Sequence, residues 1–181
     1  MMKHAVLVVD LQQEYLATGK LPLVNIDRAV AKAEQVLTYA RQQNIPVIHV
    51  LHESPDPTAP LFTPNTDGVT AITQVAPIND EVLVVKNYPN SFLKTNLLEV
   101  LKQQEITDLT IIGAMSHMCI DATTRAASDL EFKCTVIEDA CATMDLEFDG
   151  KTVPADQVHA TVMAALAFAY AEVKTTAEFV K

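Results

Sequence analysis

The chain begins with a continuous apolar run, His4–Val9 (HAVLVV), that stops at Asp10. An unbroken, valine-rich run fits a strand covered on both faces. After a loop, Ile26, Val30, Ala33, Leu37 and Ala40 recur at alternating spacings of four and three. That spacing predicts a helix with one apolar face, ending near Asn44 because the residue before Pro46 resists helical backbone. PVIHVLH then reads as a second buried strand. Strand, helix and strand in succession make a βαβ unit, which requires parallel pairing and a right-handed crossover.

Glu53–Pro64 holds four of the nine prolines and so predicts an irregular surface loop or lid. Val82–Val85 predicts a short strand closed by Lys86, and Asn90 or Ser91 could cap a helix carrying Leu93, Leu97, Val100 and Leu101. Leu109–Ile112 predicts a strand running into Gly113, and Met118–Leu130 a helix. Cys134–Ile137 reads as a strand, Val158–Tyr170 as an alanine-rich helix and Val173–Thr176 as a last strand. The alternation predicts a three-layer, doubly wound α/β sandwich: a mostly parallel sheet of about six strands with helices on both faces. With no repeat or composition shift, residues 1–181 read as a single domain. Ligands in such folds bind outside the carboxyl ends of the strands, where Asp10, Lys86 and the segment after Gly113 fall.

Composition narrows the function. The four glycines are too far apart for a dinucleotide-binding fingerprint or a phosphate-binding loop. A net charge of −10 with scattered basic residues argues against nucleic acid as a partner. Apolar runs are too short to span a bilayer, so no membrane partner is expected. Three cysteines make no disulfide framework, and a reducing, cytoplasmic location is the expectation.

The segment Gly113–Ala127 (GAMSHMCIDATTRAA) places Cys119 near the first turn of a helix. Unpaired N–H groups there favour a thiolate and could hold an oxyanion. Taken alone, Cys119 fits either a nucleophile or a buried inert thiol. Asp10 fits a general base or a turn aspartate, and Lys86 a charge-positioning group or a strand-end lysine reaching solvent. Three such residues at three strand ends converge on one crevice. Phe62, Tyr88, Phe92 and His117 lie in or beside the surrounding loops and fit either substrate contact or packing. Arg125 reads as an anchor to neighbouring acids, and Cys134 and Cys141 as small buried residues, the latter in the turn after its strand.

AVLVVDLQQEY, VVKNYPNSF, and IIGAMSHMCIDATTRAA followed by CTVIEDACATMD together resemble the isochorismatase-like cysteine hydrolases. That superfamily includes nicotinamidases, N-carbamoylsarcosine amidase and ureidoacrylate amidohydrolases. The resemblance implies an Asp10–Lys86–Cys119 triad with Asp10 as base, Lys86 as positioning charge and Cys119 as the group that is acylated. It also implies a cis peptide joining Ala114 to Met115, with the N–H groups of Met115 and Cys119 as oxyanion hole. Ser116 stands where relatives often have threonine. Nicotinamidases hold a divalent ion with an Asp-x-His pair. Here His49 and His52 lack that aspartate and fall on opposite faces of a strand, so neither a metal nor another cofactor is expected.

The expected activity is hydrolysis of an amide, ureide or carbamoyl C–N bond in a small molecule. The alternatives are a nicotinamidase-type reaction, isochorismatase-type vinyl-ether cleavage, a thiol sensor and a non-catalytic interaction module. Loops near Pro55–Asp67 and Met144–Thr152 would decide the substrate, and neither contains a readable motif. AALAFAYAEV is apolar around most of a helix. It predicts a homodimer or higher homo-oligomer, with burial under the loop Phe148–Pro154 as the alternative.

Overall fold

A computed structural model describes residues 3–181. Its elements in chain order are β1 (His4–Val9), α1 (Ile26–Gln42), β2 (Val47–His52), β3 (Val82–Lys86), α2 (Leu97–Gln103) and β4 (Asp108–Ala114). A π-helical turn (Ser116–Ile120) leads into α3 (Asp121–Asp129) and β5 (Lys133–Ala142). Then come β6 (Leu146–Phe148), β7 (Lys151–Val153), α4 (Ala155–Ala169), β8 (Glu172–Lys174) and α5 (Thr176–Phe179).

Six strands form one sheet in the order β3-β2-β1-β4-β5-β8, with every neighbouring pair parallel. The chain builds outward from β1 in one direction, then returns to its other side with β4. That reversal puts helices on both faces. Val6 and Val8 of β1 pack with Ala33, Leu37 and Ala40 of α1 on one face. Leu7 and Val9 pack with Leu97 and Leu101 of α2, Ala127 of α3 and Leu166 of α4 on the other. Strand side chains alternate between faces, so a sheet sandwiched by helices needs apolar residues at every position, and β1 supplies them. The doubly wound α/β sandwich expected from the alternation is the observed fold.

Several boundaries differ from the pattern-based expectation. The helix expected to begin at Asn90 or Ser91 starts at Leu97. The buried Ser91 instead bonds Thr123 through both its N–H (3.1 Å) and its hydroxyl (2.8 Å), and Lys94 has a left-handed backbone (φ 57°) that interrupts helix formation. β5 runs on to Ala142, taking in Cys141. After an irregularity beyond Ile111, it pairs again with β4 through Gly113↔Cys141 and Ala114↔Ala142. α4 starts earlier, at Ala155, just after Pro154, whose fixed φ suits a helix start. Leu146–Val153 is a hairpin turned by Asp149-Gly150, both at positive φ, a pairing the sequence Asp-Gly favours. Phe148 on that hairpin is itself exposed, as is Phe168 on α4.

Gly113 is required where it stands. Its φ is 135°, and a Cβ there would lie 1.9 Å from the carbonyl oxygen of Val9 on the adjacent strand. Gly113→Ala should therefore lower unfolding stability by about 3 kcal/mol or more. Chemical denaturation measures this, and an unchanged midpoint would show that β1 and β4 can separate to admit a methyl group.

Candidate active site

In a doubly wound sheet, strand ends on either side of the reversal open a crevice, here between β1 and β4. Asp10 follows β1 directly. Its N–H donates to the Val50 carbonyl (2.9 Å), and its backbone turns left-handed (φ 53°), breaking the strand's alternation. Such a backbone is tolerated by aspartate and is concentrated at functional sites. Lys86 is the last residue of β3 and points into the same buried layer as Val84. Cys119 sits in the π-helical turn after β4, where the Ile120 N–H reaches back five residues to the Met115 carbonyl (3.2 Å). Single π turns of this kind recur at functional sites. The peptide bond joining Ala114 to Met115 is cis.

These three side chains meet. Lys86 Nζ lies 2.7 Å from Asp10 Oδ2 and 3.2 Å from Cys119 Sγ. Asp10 and Lys86 are fully buried and Cys119 is 7% exposed, so the sulfur is what the opening presents. Lys86 and Asp10 form a buried ion pair, and among the described residues the carboxylate oxygens accept no other hydrogen bond. A buried carboxylate with spare lone pairs is a ready proton acceptor. Burial alone would lower the Lys86 pKa, but the charge of Asp10 and the hydrogen-bonding groups of Asp10 and Cys119 outweigh it and hold the ammonium above the usual lysine range.

Cys119 departs from expectation. Burial, then the negative charge of Asp10, pushes its thiol up to about 12, against the opposing pull of Lys86. The rise favours the protonated thiol over the thiolate that a helix start would favour, with the Asp10 carboxylate and the Lys86 ammonium beside it.

Several residues that sequence reading did not assign complete the surroundings. His52, at the end of β2, is in register with Lys86 and lies on its face of the sheet. His52 Nδ1 is 3.3 Å from Lys86 Nζ. His49, on the opposite face, bonds Glu81 at 3.0 Å. The buried amide of Gln12 accepts from the His52 N–H (2.8 Å) and donates to the carbonyls of His52 and Val69 (both 2.9 Å). Tyr15 is buried, and burial, then the charges of Asp10, Cys119 and Glu14, raises its phenol well above the usual tyrosine range. The signal for His52 and Gln12 was present in the strand register. Period-two alternation from Ile48 and Val50 puts His52 on the Lys86 side.

The proposed substrate contacts separate. Phe62 packs edge-on to the His52 ring (5.0 Å) and to Tyr15 (5.3 Å). His117 bonds Thr143 Oγ1 at 2.7 Å, and burial lowers its pKa. Tyr88 is partly exposed under the Lys94 ammonium, and Phe92 stacks on Phe132 in a core contact. Arg125 pairs with Asp121 one turn earlier and covers the Tyr170 ring. A cavity of about 570 Å³ lies beside the crevice over the end of β5, with Arg28, Glu138, Asp145 and His159 among its walls. Its lining does not include the three central residues. The loop expected as a lid, Glu53–Pro64, is held at Phe62, whose N–H donates to Glu14 Oε1 (2.8 Å); beyond it, Ile72 N–H donates to the Leu11 carbonyl and Gln13 N–H to the Thr70 carbonyl (both 2.9 Å). Among the described residues, no group of three or more His, Cys, Asp or Glu side chains is arranged to hold a metal, and no helix is long and apolar enough to cross a membrane.

Comparison with known proteins places the chain in a family. Residues 4–178 match the family model of the isochorismatase domain. An isochorismatase family protein of Bacillus subtilis (strain 168), YddQ, is 44% identical over 180 residues, covering 99% of this chain and 100% of that one. The solved cysteine hydrolase of Pseudomonas syringae pv. phaseolicola 1448A superimposes with a TM-score of 0.92 at 27% identity, covering 98% of this chain and 91% of that one. Streptothricin hydrolase of Streptomyces noursei is 30% identical over 143 residues, 79% of this chain and 56% of that protein. A buried carboxylate, ammonium and thiol at the strand ends of this fold, in a chain matched from residue 4 to residue 178, make it a member of the isochorismatase family of hydrolases.

Proposed function

We propose that this hydrolase cleaves an amide, ureide or carbamoyl C–N bond of a small molecule through an acyl-enzyme on Cys119. The observation that carries the reading is the single buried ammonium of Lys86, 2.7 Å from the Asp10 carboxylate and 3.2 Å from the Cys119 sulfur. Relatives named streptothricin hydrolase and cysteine hydrolase support the reaction class.

The chemistry follows from the protonated thiol. As sulfur attacks the carbonyl carbon, its proton passes to Asp10, so no free thiolate is required. Lys86 offsets the negative charge on sulfur and carboxylate in turn. The N–H groups of Met115 and Cys119 receive the developing oxyanion. Asp10 returns the proton to the departing nitrogen as the C–N bond breaks, then takes one from the attacking water and passes it to the sulfur as the C–S bond breaks, releasing the acid and restoring the thiol. Vinyl-ether cleavage would leave the Cys119 sulfur without a role.

Self-association belongs to the same reading. Ala160, Ala164, Ala165, Ala167 and Phe168 of α4 face outward, with Phe168 91% exposed, and the hairpin at Phe148 leaves them open. A second copy of the chain covers this surface, because small side chains permit close helix approach and two-fold pairing buries both copies at once.

Cys119→Ala should reduce turnover on a responsive substrate, found by screening amides, ureides and carbamoyl compounds, by at least about a thousandfold. Asp10→Asn should lose activity to a similar degree while still binding substrate. Near-normal turnover in either variant would remove that residue from the mechanism. Because the thiol is pushed up to about 12, iodoacetamide labelling of Cys119 should keep rising with pH beyond the point where an ordinary cysteine, of pKa about 8.5, levels off. An early plateau would mean a standing thiolate. Chelation should leave the rate unchanged, since the His52 nitrogen facing the site already meets a cation. Activity lost with a chelator and regained with a divalent ion would contradict this. Light scattering should give a mass at least twice 19.8 kDa, falling to the monomer in Phe168→Glu. A monomeric unsubstituted protein would refute the assembly.

A further inference from the structure

An ammonium group has three N–H bonds, and Lys86 is fully buried, so each must find an acceptor within the protein. Asp10 Oδ2 and Cys119 Sγ take two. The acceptor for the third is His52 Nδ1, 3.3 Å away. We propose that His52 is a positioning residue: as the third acceptor of Lys86, it fixes the direction in which the ammonium presents its N–H bonds to Asp10 and Cys119. The inference rests on the reading of Cys119 as the nucleophile that Lys86 serves.

The ring is suited to this task in its chemistry and its support. To accept, Nδ1 must be bare, which puts the ring proton on Nε2. Burial, then the neighbouring Lys86 charge, lowers the imidazole pKa and favours that neutral state. Register places His52 directly beside Lys86 on the adjoining strand. Gln12 grips the backbone N–H and carbonyl of His52 together, and Gln12 follows Asp10 by two residues. The edge-on Phe62 ring fixes the plane of the imidazole, and the Phe62 N–H is held by Glu14. The acceptor and the base are thus positioned from the same five-residue stretch after β1, Asp10–Glu14.

A ring that merely fills space would be replaced by any flat side chain of similar size. A hydrogen-bond acceptor is replaced by asparagine, whose Oδ1 is attached to Cγ as Nδ1 is in histidine. His52→Phe keeps an aromatic contact with Phe62 and removes the acceptor. His52→Asn keeps the acceptor and removes the ring.

The test follows iodoacetamide labelling of Cys119 at the level of its own peptide by mass spectrometry, which needs no substrate. His52→Phe should label Cys119 about tenfold more slowly at about pH 8, and His52→Asn within about threefold of the unsubstituted protein. With a substrate, His52→Phe should lower kcat and leave KM near its original value. Equal rates in the two variants, or labelling unchanged or faster in His52→Phe, would overturn the proposal. Nitrogen-15 NMR of the unsubstituted protein tests it without relying on a variant that folds. At neutral pH His52 should show a bare Nδ1 and a protonated Nε2, and the opposite tautomer or an imidazolium would overturn it. Cys119→Ala turnover separates the two ideas: full activity there defeats the nucleophile assignment, whereas the labelling and tautomer results bear on His52 alone.

Discussion

A charged lysine fully buried in the protein is the constraint from which the site is organised. An isolated ammonium in a protein interior is strongly disfavoured, so Lys86 stays charged only because a carboxylate stands 2.7 Å away. That pairing requires the ends of β3 and β1 to be held close although β2 lies between them. The Asp10 N–H bond to Val50 and the Gln12 grip on His52 tie the end of β1 to β2, and the Glu53 N–H bond to the Lys86 carbonyl (3.0 Å) ties the end of β2 to β3. The thiol then enters a field already set, with the carboxylate raising its pKa and the ammonium opposing that rise.

Under the proposed mechanism, this arrangement resolves two demands on the nucleophile. A standing thiolate in the crevice would be open to oxidation and to stray electrophiles. A protonated thiol is less reactive, yet it becomes a nucleophile once a carbonyl carbon is near enough for proton transfer and bond formation to proceed together. The free lone pairs of Asp10 make that transfer available without rearrangement of the strand ends.

The sheet was legible because a strand buried on both faces has no choice but to be apolar throughout, as His4–Val9 and PVIHVLH are. The convergence of Asp10, Lys86 and Cys119 was legible because strand ends in a parallel sheet open on the same side. The protonation state of Cys119 was not, since it depends on the distance to a carboxylate more than one hundred residues away in sequence. Helix boundaries near Ser91 failed for a similar reason: the cap was diverted to Thr123 on another helix. His52 was weighed only as a metal ligand, although alternation within β2 already puts it on the face of Ile48 and Val50; that its neighbour there is Lys86 follows from the pairing with β3, which β2 alone does not carry. The Asp149-Gly150 hairpin, in contrast, carried a local signal that was simply passed over.

The anchored loop divides labour along the chain. Ser54 N–H closes onto the Phe62 carbonyl (2.8 Å), and from Phe62 onward the backbone is fastened to the stretch that carries the base. Pro55–Pro60, projecting beyond that closure, is largely exposed and bears none of those fastenings. Insertions, deletions and exchanges can accumulate there while the positions of Asp10, Gln12 and Glu14 stay fixed. Under the proposed function, this outer turn can vary while the buried carboxylate, ammonium and thiol keep their places, so that change at the surface need not rebuild the chemistry beneath it.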